Sequence, residues 1–445
     1  MEDNVGVVVA KFGGSSLSEA TQFQKVKHII SLDNRRLFIV PSAPGKRNSK
    51  DEKVTDMLLK CHELNEKGED IADVFNKIRE RFTSIASDLK LKIDIHGVLN
   101  EIEVNIRSGA SKMYCASRGE YVNGMLLADY LGYNFFDPAG SILFSDDGNF
   151  DSERTNRTVA EKLCSLENAV IPGFYGSKDN GEIQTFSRGG SDISGAIVAR
   201  ALCAEVYENW TDVSGFLMAD PRIVENPLEI RELTYRELRE LSYMGATVLH
   251  EDAIFPVNKA GISTNIRNTN YPEHPGTIIR HVMRTEEAIP KKHVITGIAG
   301  KQGFDVITIE KSMMNSEVGF GMRVLQALYE FGISFEHLPT GIDSICVVVD
   351  HKNFDLYRNS VIKRIYELVQ PDSVNVSENM AIIATVGRGM VRNPGTASRL
   401  FTALSEAKIN IRMIDQGSSE LSILVGINDE DFTKAVKAIY NAFVK

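Results

Sequence analysis

The sequence has too little uninterrupted apolar character to cross a membrane as a helix. No apolar run approaches the roughly 18–20 residues that span a bilayer. The first residues, MEDNVGVVVAKFGG, carry acid where a secretory leader carries base. Cysteine is sparse. Cys61, Cys115, Cys164, Cys203 and Cys346 make an odd, scattered set of five with no CxxC pair. That usage fits buried thiols in a reducing cytoplasm and not a disulfide scaffold. Histidine shows no zinc spacing: His250-Glu251 opens like HExxH, but Ile254 stands where the second His belongs. Base is the minority charge, 50 Lys and Arg against 60 Asp and Glu, a net charge of −10. A general nucleic-acid binder needs the opposite footprint. Neither GxxxxGKS/T nor GxGxxG occurs, which excludes a Walker A loop and a dinucleotide fingerprint.

What is present suffices for a large core. The chain has 445 residues, 43% of them hydrophobic, and that length suggests about two or three domains. Val5–Ala10 reads as a strand buried on both faces, followed by Gly13-Gly14-Ser15-Ser16 and a helical pattern over Glu19–Leu32. Leu37–Val40 is a second buried strand. Positions 48–110 are charged and helix-forming, and Met125–Leu131 reads as helix. Ala169–Phe174 is strand, Ser191–Ala204 helix and Glu205–Thr211 strand. This alternation predicts a parallel α/β sheet.

From about 275 the character changes. His274-Pro275-Gly276 marks a turn, and Thr285–Lys292 is a charged, Pro-containing linker candidate. Two βαββαβ-like units follow. The first has strands Val306–Glu310, Ser334–Leu338, Ile345–Asp350 and Val374–Ser377, with helices Gly319–Phe331 and Phe354–Leu368. The second has strands Ala381–Val386, Ile411–Asp415 and Leu421–Ile427, with helices Gly395–Ala407 and Asp431–Phe443. The second lacks a fourth strand, and Val294–Ala299 is strand-like, so the first unit is expected to nest inside the second.

Lys11-Phe12-Gly13-Gly14-Ser15-Ser16 leaves a buried strand and enters a helix. Its glycines let backbone N–H groups approach an anion, and Lys11 adds a point charge, which is what nucleotide phosphates require. Arg188-Gly189-Gly190-Ser191-Asp192 is a second such loop, with Arg supplying a fork for carboxylate or phosphate. Either loop alone reads equally as a tight turn or a capped helix; a pair can clamp two anionic reactants. Thr211-Asp212-Val213-Ser214-Gly215 and Asp220-Pro221-Arg222 follow a strand, where open α/β sheets bind ligands. Glu120, in Ser117-Arg118-Gly119-Glu120, is an acid near a helix start, with capping as its plain reading.

Taken in order, KFGGSS at 11–16, SRGE at 117–120, FSRGGSD at 186–192, TDVSGFLMADPR at 211–222 and GATVLH at 245–250 resemble the aspartate kinases of the amino-acid kinase superfamily. The C-terminal units resemble ACT domains, and Met413-Ile414-Asp415-Gln416-Gly417-Ser418-Ser419 looks like the second ACT signature. The resemblance covers nearly the whole chain. It implies an amino-acid-kinase-like α/β fold, a parallel-rich sheet sandwiched by helices, followed by two α+β ACT domains. The expected boundaries are 1–284 for the kinase domain, 285–305 for a linker and a strand given to the second ACT unit, 306–378 and 379–445.

The resemblance also implies a reaction: transfer of the γ-phosphoryl of MgATP to the β-carboxylate of L-aspartate, giving 4-phospho-L-aspartate. This is the entry to lysine, threonine and methionine biosynthesis. A carboxylate is already ionised at pH 7, so no general base is needed, and catalysis is positioning plus charge neutralisation. By resemblance, Lys11 stabilises the transferring phosphoryl, with amides from Gly13 and Gly14, and Asp192 orients Lys11 or the reacting groups. Arg188, with Gly189 and Ser191, holds the aspartate α-carboxylate, and Glu120 its ammonium. Ser42 and Thr55 are weaker substrate contacts. Ser15, Thr211, Asp212, Leu217, Arg222, Thr247 and Val248 line the nucleotide site. No resident metal is expected. Thr247 stands where the family often has Lys, Glu251 where it has Pro, and Leu217 where an aromatic follows the turn. A charged stretch, Arg47–Lys53, separates Ser42 from Thr55.

For regulation, Met314, Gly319, Phe320, Ser334, Phe335 and Glu336 match effector positions of the family. Lysine is the favoured inhibitor, with joint action by threonine as a variant. The resemblance further implies a cytoplasmic homodimer, or dimer of dimers, joined through ACT domains. It leaves no room for a fused homoserine dehydrogenase. An amino-acid sensor with an inactive kinase domain is the reading from another class, and a kinase for another carboxylate is the nearer rival.

Overall fold

The computed structural model describes residues 6–187, 189–246, 249, 251–281 and 294–444. The expected linker at 285–292 therefore lies outside the described residues. Contacts divide the chain into two units.

The first unit is built on β1 (Val8–Phe12), whose five residues are all buried. It continues through α1 (Ala20–Ser31), β2 (Arg36–Pro41), α2 (Val54–Glu66), α3 (Ala72–Asp88), α4 (Ile95–Arg107) and α5 (Lys112–Leu131). Next come β3 (Asn134–Phe135), β4 (Leu143–Phe144), α6 (Ser152–Leu163), β5 (Ala169–Val170), β6 (Tyr175–Lys178) and β7 (Ile183–Thr185). Then follow α7 (Gly190–Ala201), β8 (Val206–Thr211), β9 (Glu232–Thr234), α8 (Tyr235–Tyr243, which from Arg236 groups with the C-terminal unit), α9 (Phe255–Lys259), β10 (Ser263–Asn268) and β11 (Thr277–Arg280). Eight strands form one sheet in the order β9-β11-β10-β8-β1-β2-β5-β3, and every pairing from β10 to β3 is parallel. Apolar runs such as Val8–Ala10 and Phe38–Val40 suit strands covered on both faces. The charged 48–110 stretch becomes three amphipathic helices. Val74, Phe75, Ile78, Phe82 and Ile85 of α3 face a cluster shared with α1, α4 and α5.

The contact division runs between 284 and 285 but is not a single cut. Leu217–Ile230 and Arg236–Ala246 group with the C-terminal unit. Their apolar side chains explain why: Met218, Val224, Ile230, Leu238, Leu241 and Met244 are buried, and a Cβ on Gly297 would meet Leu241 at 3.1 Å.

The C-terminal unit carries β12 (Gly297–Glu310), α10 (Phe320–Tyr329), β13 (Phe335–His337), β14 (Ser344–Asp350), α11 (His351–Asp355) and α12 (Arg358–Val369). It ends with β15 (Ser373–Val386), α13 (Thr396–Glu406), β16 (Met413–Asp415), β17 (Ser422–Asn428) and α14 (Phe432–Val444). One sheet orders them β13-β14-β12-β15-β17-β16, antiparallel throughout. Four segments read from sequence as separate strands are two here. Val294–Ala299 and Val306–Glu310 merge into β12 over its described length, and Val374–Ser377 and Ala381–Val386 merge into β15. The glycines at 300 and 303 do not break β12; register shifts between Lys301 and Val306 absorb them as a bulge, with Gly303 at φ +87°. Gly297–Lys301 pairs with Ile382–Val386, while Phe304–Glu310 pairs with β14.

Candidate active site

Parallel strands β2, β1, β8 and β10 are neighbours, so their carboxyl ends lie on one edge of the sheet. The loops that leave them are Ser42–Gly45, Gly13–Leu17, Asp212–Gly215 and Thr269 onward. This edge is where open α/β sheets bind ligands.

Lys11 is the penultimate residue of β1 and is only 7% exposed. Registry sets it beside Asn209 of β8, on the same face. The first turn of α7 delivers Asp192 to both. Lys11 Nζ lies 2.6 Å from Asp192 Oδ1, and Asn209 Nδ2 donates to that oxygen at 2.7 Å. Lys11 Nζ also donates to Asn209 Oδ1 at 3.5 Å. The buried Tyr207 hydroxyl donates to the Asp192 carbonyl at 3.1 Å. Asp192 makes no capping bond; the N-cap is Gly189 at φ +60°, which favours glycine. Ser191 is buried at the same turn.

Gly14 and Gly45 meet backbone to backbone. The Gly45 N–H donates to the Gly14 carbonyl at 2.8 Å, and a Cβ on Gly14 would lie 2.8 Å from the Ala43 carbonyl oxygen. The Gly13 amide needs a correction. Its N–H donates to the Trp210 carbonyl at 2.9 Å, closing β1 onto β8, and so is not free for a phosphate. Beyond Ser15, Ser16 shares a buried 2.7 Å hydrogen bond with Thr269. Asn268 Nδ2 donates to the Asp212 carbonyl at 3.2 Å and to Ser214 at 3.0 Å, and Thr211 donates to Asp212 Oδ1 at 3.3 Å.

Glu120 also departs from its sequence reading. It is the ninth residue of the 20-residue α5, not a residue near a helix start, so capping is excluded. The true cap is Ser111, which accepts from Tyr114 N–H. Glu120 is buried, and burial pushes its carboxyl up to about 8, against the opposing pull of a backbone hydrogen bond from Ala43. One oxygen, Oε2, has no hydrogen-bond partner. One turn on, Asn123 Nδ2 donates to the Ser42 carbonyl at 2.6 Å, and Ser42 N–H donates to Phe12. Glu120, Ser42, Gly14 and Lys11 are thus joined through adjoining backbone. Thr55 sits in the first turn of α2, partly exposed.

Arg188, Thr247 and Val248 lie outside the described residues. Leu217 closes a short strand, and Arg222 is an exposed residue whose guanidinium holds Asp220 at 2.6 Å; both belong to the C-terminal unit. In that unit the expected effector residues divide. Met314 and Phe320 are core. Gly319 is the N-cap of α10 at φ +81°. Ser334 and Phe335 are exposed, and Glu336 accepts from the Tyr243 hydroxyl at 2.5 Å.

Sequence reasoning missed Asn209, Asn268 and Thr269. Asn209 sits two residues before the TDVSG turn, inside a strand, and only the β1–β8 register reveals its role. Among the described residues, no group of three or more His, Cys, Asp or Glu gathers to hold a metal, and no helix is long and apolar enough to cross a membrane.

Known proteins match this arrangement. The amino acid kinase family pattern matches residues 6–268, and an ACT domain pattern matches residues 383–443. Aspartokinase 3 of Bacillus subtilis is 40% identical over 98% of this chain and 98% of its own length. The crystal structure of Clostridium acetobutylicum aspartate kinase, described as an allosteric enzyme, superposes with a TM-score of 0.90 at 51% identity. It covers 99% of this chain and 100% of that one. Escherichia coli aspartokinase III, solved with aspartate and ADP, shares the fold at a TM-score of 0.77 and 24% identity, over 99% of this chain and all of that one. With a buried Lys11 paired to Asp192 at the carboxyl-end edge of such a sheet, the chain belongs to the amino acid kinase family and, within it, to the aspartate kinases, phosphotransferases with a carboxyl group as acceptor.

Proposed function

We propose that the chain transfers the γ-phosphoryl of MgATP to the β-carboxylate of L-aspartate, producing 4-phospho-L-aspartate. The observation that carries this reading is the Lys11–Asp192–Asn209 cluster at the carboxyl ends of β1 and β8. A buried ammonium held by one carboxylate and one amide is preorganised to meet charge building on a phosphoryl group. The acceptor carboxylate is ionised at neutral pH and attacks without a base. Positioning is what remains for the protein to supply.

Glu120 is the partner for the aspartate ammonium. A carboxyl held partly protonated by burial becomes an anion when a cation enters beside it. Arg188, Gly189 and Ser191 hold the α-carboxylate, with Ser42 and Thr55 nearby. Gly14, Ser15, Thr211 and Asp212 receive the nucleotide phosphates, and Leu217, Arg222, Thr247 and Val248 the remainder. The magnesium ion travels with ATP. It commonly relies on substrate phosphates and water in place of a full protein cage.

The ACT units take lysine as inhibitor, alone or jointly with threonine, at Gly319, Ser334, Phe335 and Glu336, with Met314 and Phe320 as the floor. Exposed apolar side chains in this unit, Val318 at 95% and Tyr329 at 82%, support a homo-oligomer formed through it. Its setting is the cytoplasm.

The test is ADP release from MgATP and L-aspartate, with hydroxylamine trapping of the acyl phosphate, with and without lysine and threonine. Aspartate-dependent turnover and a trapped hydroxamate support the reaction, and inhibition by lysine supports the effector. Turnover insensitive to both amino acids removes the effector and keeps the kinase. Absence of hydroxamate overturns the product.

A further inference from the structure

The loop that carries Ser42 is held at both ends, and only the near end belongs to the chemistry described above. Ser42 N–H bonds to Phe12, Ala43 packs on Gly119, and Gly45 locks against Gly14. The far end runs through Arg47 to Asp51, the charged insertion noted in the sequence. Here α3 contributes Arg81, whose side chain is 4% exposed. Its Nη2 pairs with Asp51 Oδ2 at 2.6 Å, and its Nη1 donates to the Gly45 carbonyl at 3.1 Å and the Ser18 carbonyl at 3.5 Å. Arg47 closes the ring, giving Asp51 both its backbone N–H and its guanidinium at 2.9 Å.

One buried guanidinium therefore touches three segments: the loop after β2 through Gly45, the turn after the phosphate loop through Ser18, and the insertion through Asp51. Burying a cation is costly unless its donors are matched. Arg81 fixes their spacing because its planar fork has fixed donor directions, which a lysine point charge lacks. Beside it opens a cavity of about 590 Å³ lined by Arg47, Lys50, Asp51, Lys77 and Arg81. A loosened loop has room to move into that space.

We infer that Arg81 is a positioning residue for phosphoryl transfer: through Gly45 and Asp51 it holds the Ser42–Gly45 loop against Gly14, and so sets the distance between the acceptor carboxylate and the phosphate loop. It touches no reactant. The inference rests on the aspartate kinase site proposed above.

The experiment uses the full chain with Arg81→Ala, Arg81→Lys, Asp51→Asn and, as control for the site itself, Lys11→Ala. Initial rates give kcat and KM for aspartate and for MgATP, with thermal unfolding alongside. Arg81→Ala is expected to lower kcat and raise KM for aspartate, about tenfold or more in their ratio, with KM for MgATP changed less than twofold. Millimolar guanidinium chloride, well below denaturing levels, is expected to restore part of that loss, and Arg81→Lys to restore little. Asp51→Asn, which leaves the Gly45 contact in place, is expected to give a smaller change of the same sign. If Arg81→Ala does not fold, Asp51→Asn decides the question, and unchanged kinetics there overturn the inference. A uniform loss of active protein, with both KM values unchanged and no guanidinium response, also overturns it. Normal activity in Lys11→Ala would instead overturn the site reading.

Discussion

The first unit stands out for paired polar groups and the second for exposed apolar ones, although each holds some of both: Tyr271 is 68% exposed in the first, and Asp305 is fully buried against Arg358 in the second. In the first, polar groups at the strand ends and around α3 answer one another: Lys11 to Asp192, Asn209 to both, Arg81 to Asp51. In the second, large apolar groups stand in water, with Val318, Tyr329, Met322 and Ile342 all at least two-thirds exposed. A site that stabilises developing charge must fix its dipoles before the substrate arrives. A surface that meets another protein can leave apolar area uncovered until then. The contrast separates a catalytic unit with paired polar groups at its strand ends from an ACT-bearing unit that exposes several large apolar side chains.

The sharpest way to break that contrast is Lys11→Ala. Its kcat should fall at least about a hundredfold, by analogy with removal of one electrostatic stabiliser. Stability should fall too, because Asp192 keeps its burial and loses its cation. The double variant with Asp192→Asn should regain stability without regaining rate, as read by calorimetry and initial rates. Equal rates in wild type and Lys11→Ala would erase the catalytic half of the comparison.

Glu120→Gln comes next. The folded carboxyl titrates near 8 and the unfolded one near the ordinary glutamate value of about 4.3. Between those values the folded chain holds a proton that the unfolded chain has released. Stability contributed at this position is therefore greatest below about pH 4, declines as pH rises to about 8, and is level beyond. Glu120→Gln should remove that decline and raise the melting temperature at pH 8 by about 2 °C or more. It should also raise KM for aspartate roughly tenfold. Thermal melts at pH 5, 7 and 9 check the first claim, and a pH-independent melting difference would refute it. The smallest effect belongs to Val318→Ser: stability should shift by less than about 0.5 kcal/mol, since an exposed side chain is lost. Sedimentation should show weaker self-association. A large stability change would mean that Val318 is already covered within one chain.

Much of this was legible in the sequence because it is local. Buried runs such as Val8–Ala10 announce their strand, and KFGGSS and FSRGGSD announce helix starts within a few residues. What stayed hidden depends on registry and on distant pairs. Asn209 meets Lys11 across 198 positions, a relation that exists only once β1 lies beside β8. Glu120 reads as a cap when a helix start is placed near it, but α5 begins at Lys112, and Gly119 is the close contact that seats the helix on Ala43. The merged strand β12 hid behind glycines that fold into a bulge, and β15 behind the polar Glu378-Asn379, where Asn379 takes φ +57°.

β12 also carries a timetable. Gly297 pairs with Val386, 386 − 297 = 89 positions later. At roughly 5–20 residues per second of synthesis, the leading half of β12 waits about 4–18 s for its partner while its other half is already pairing nearby. For that interval it is an open strand edge, the kind of surface that recruits wrong neighbours. The first ACT-like unit is therefore made with one sheet edge unfinished, and the strand Ile382–Val386 of the second completes it.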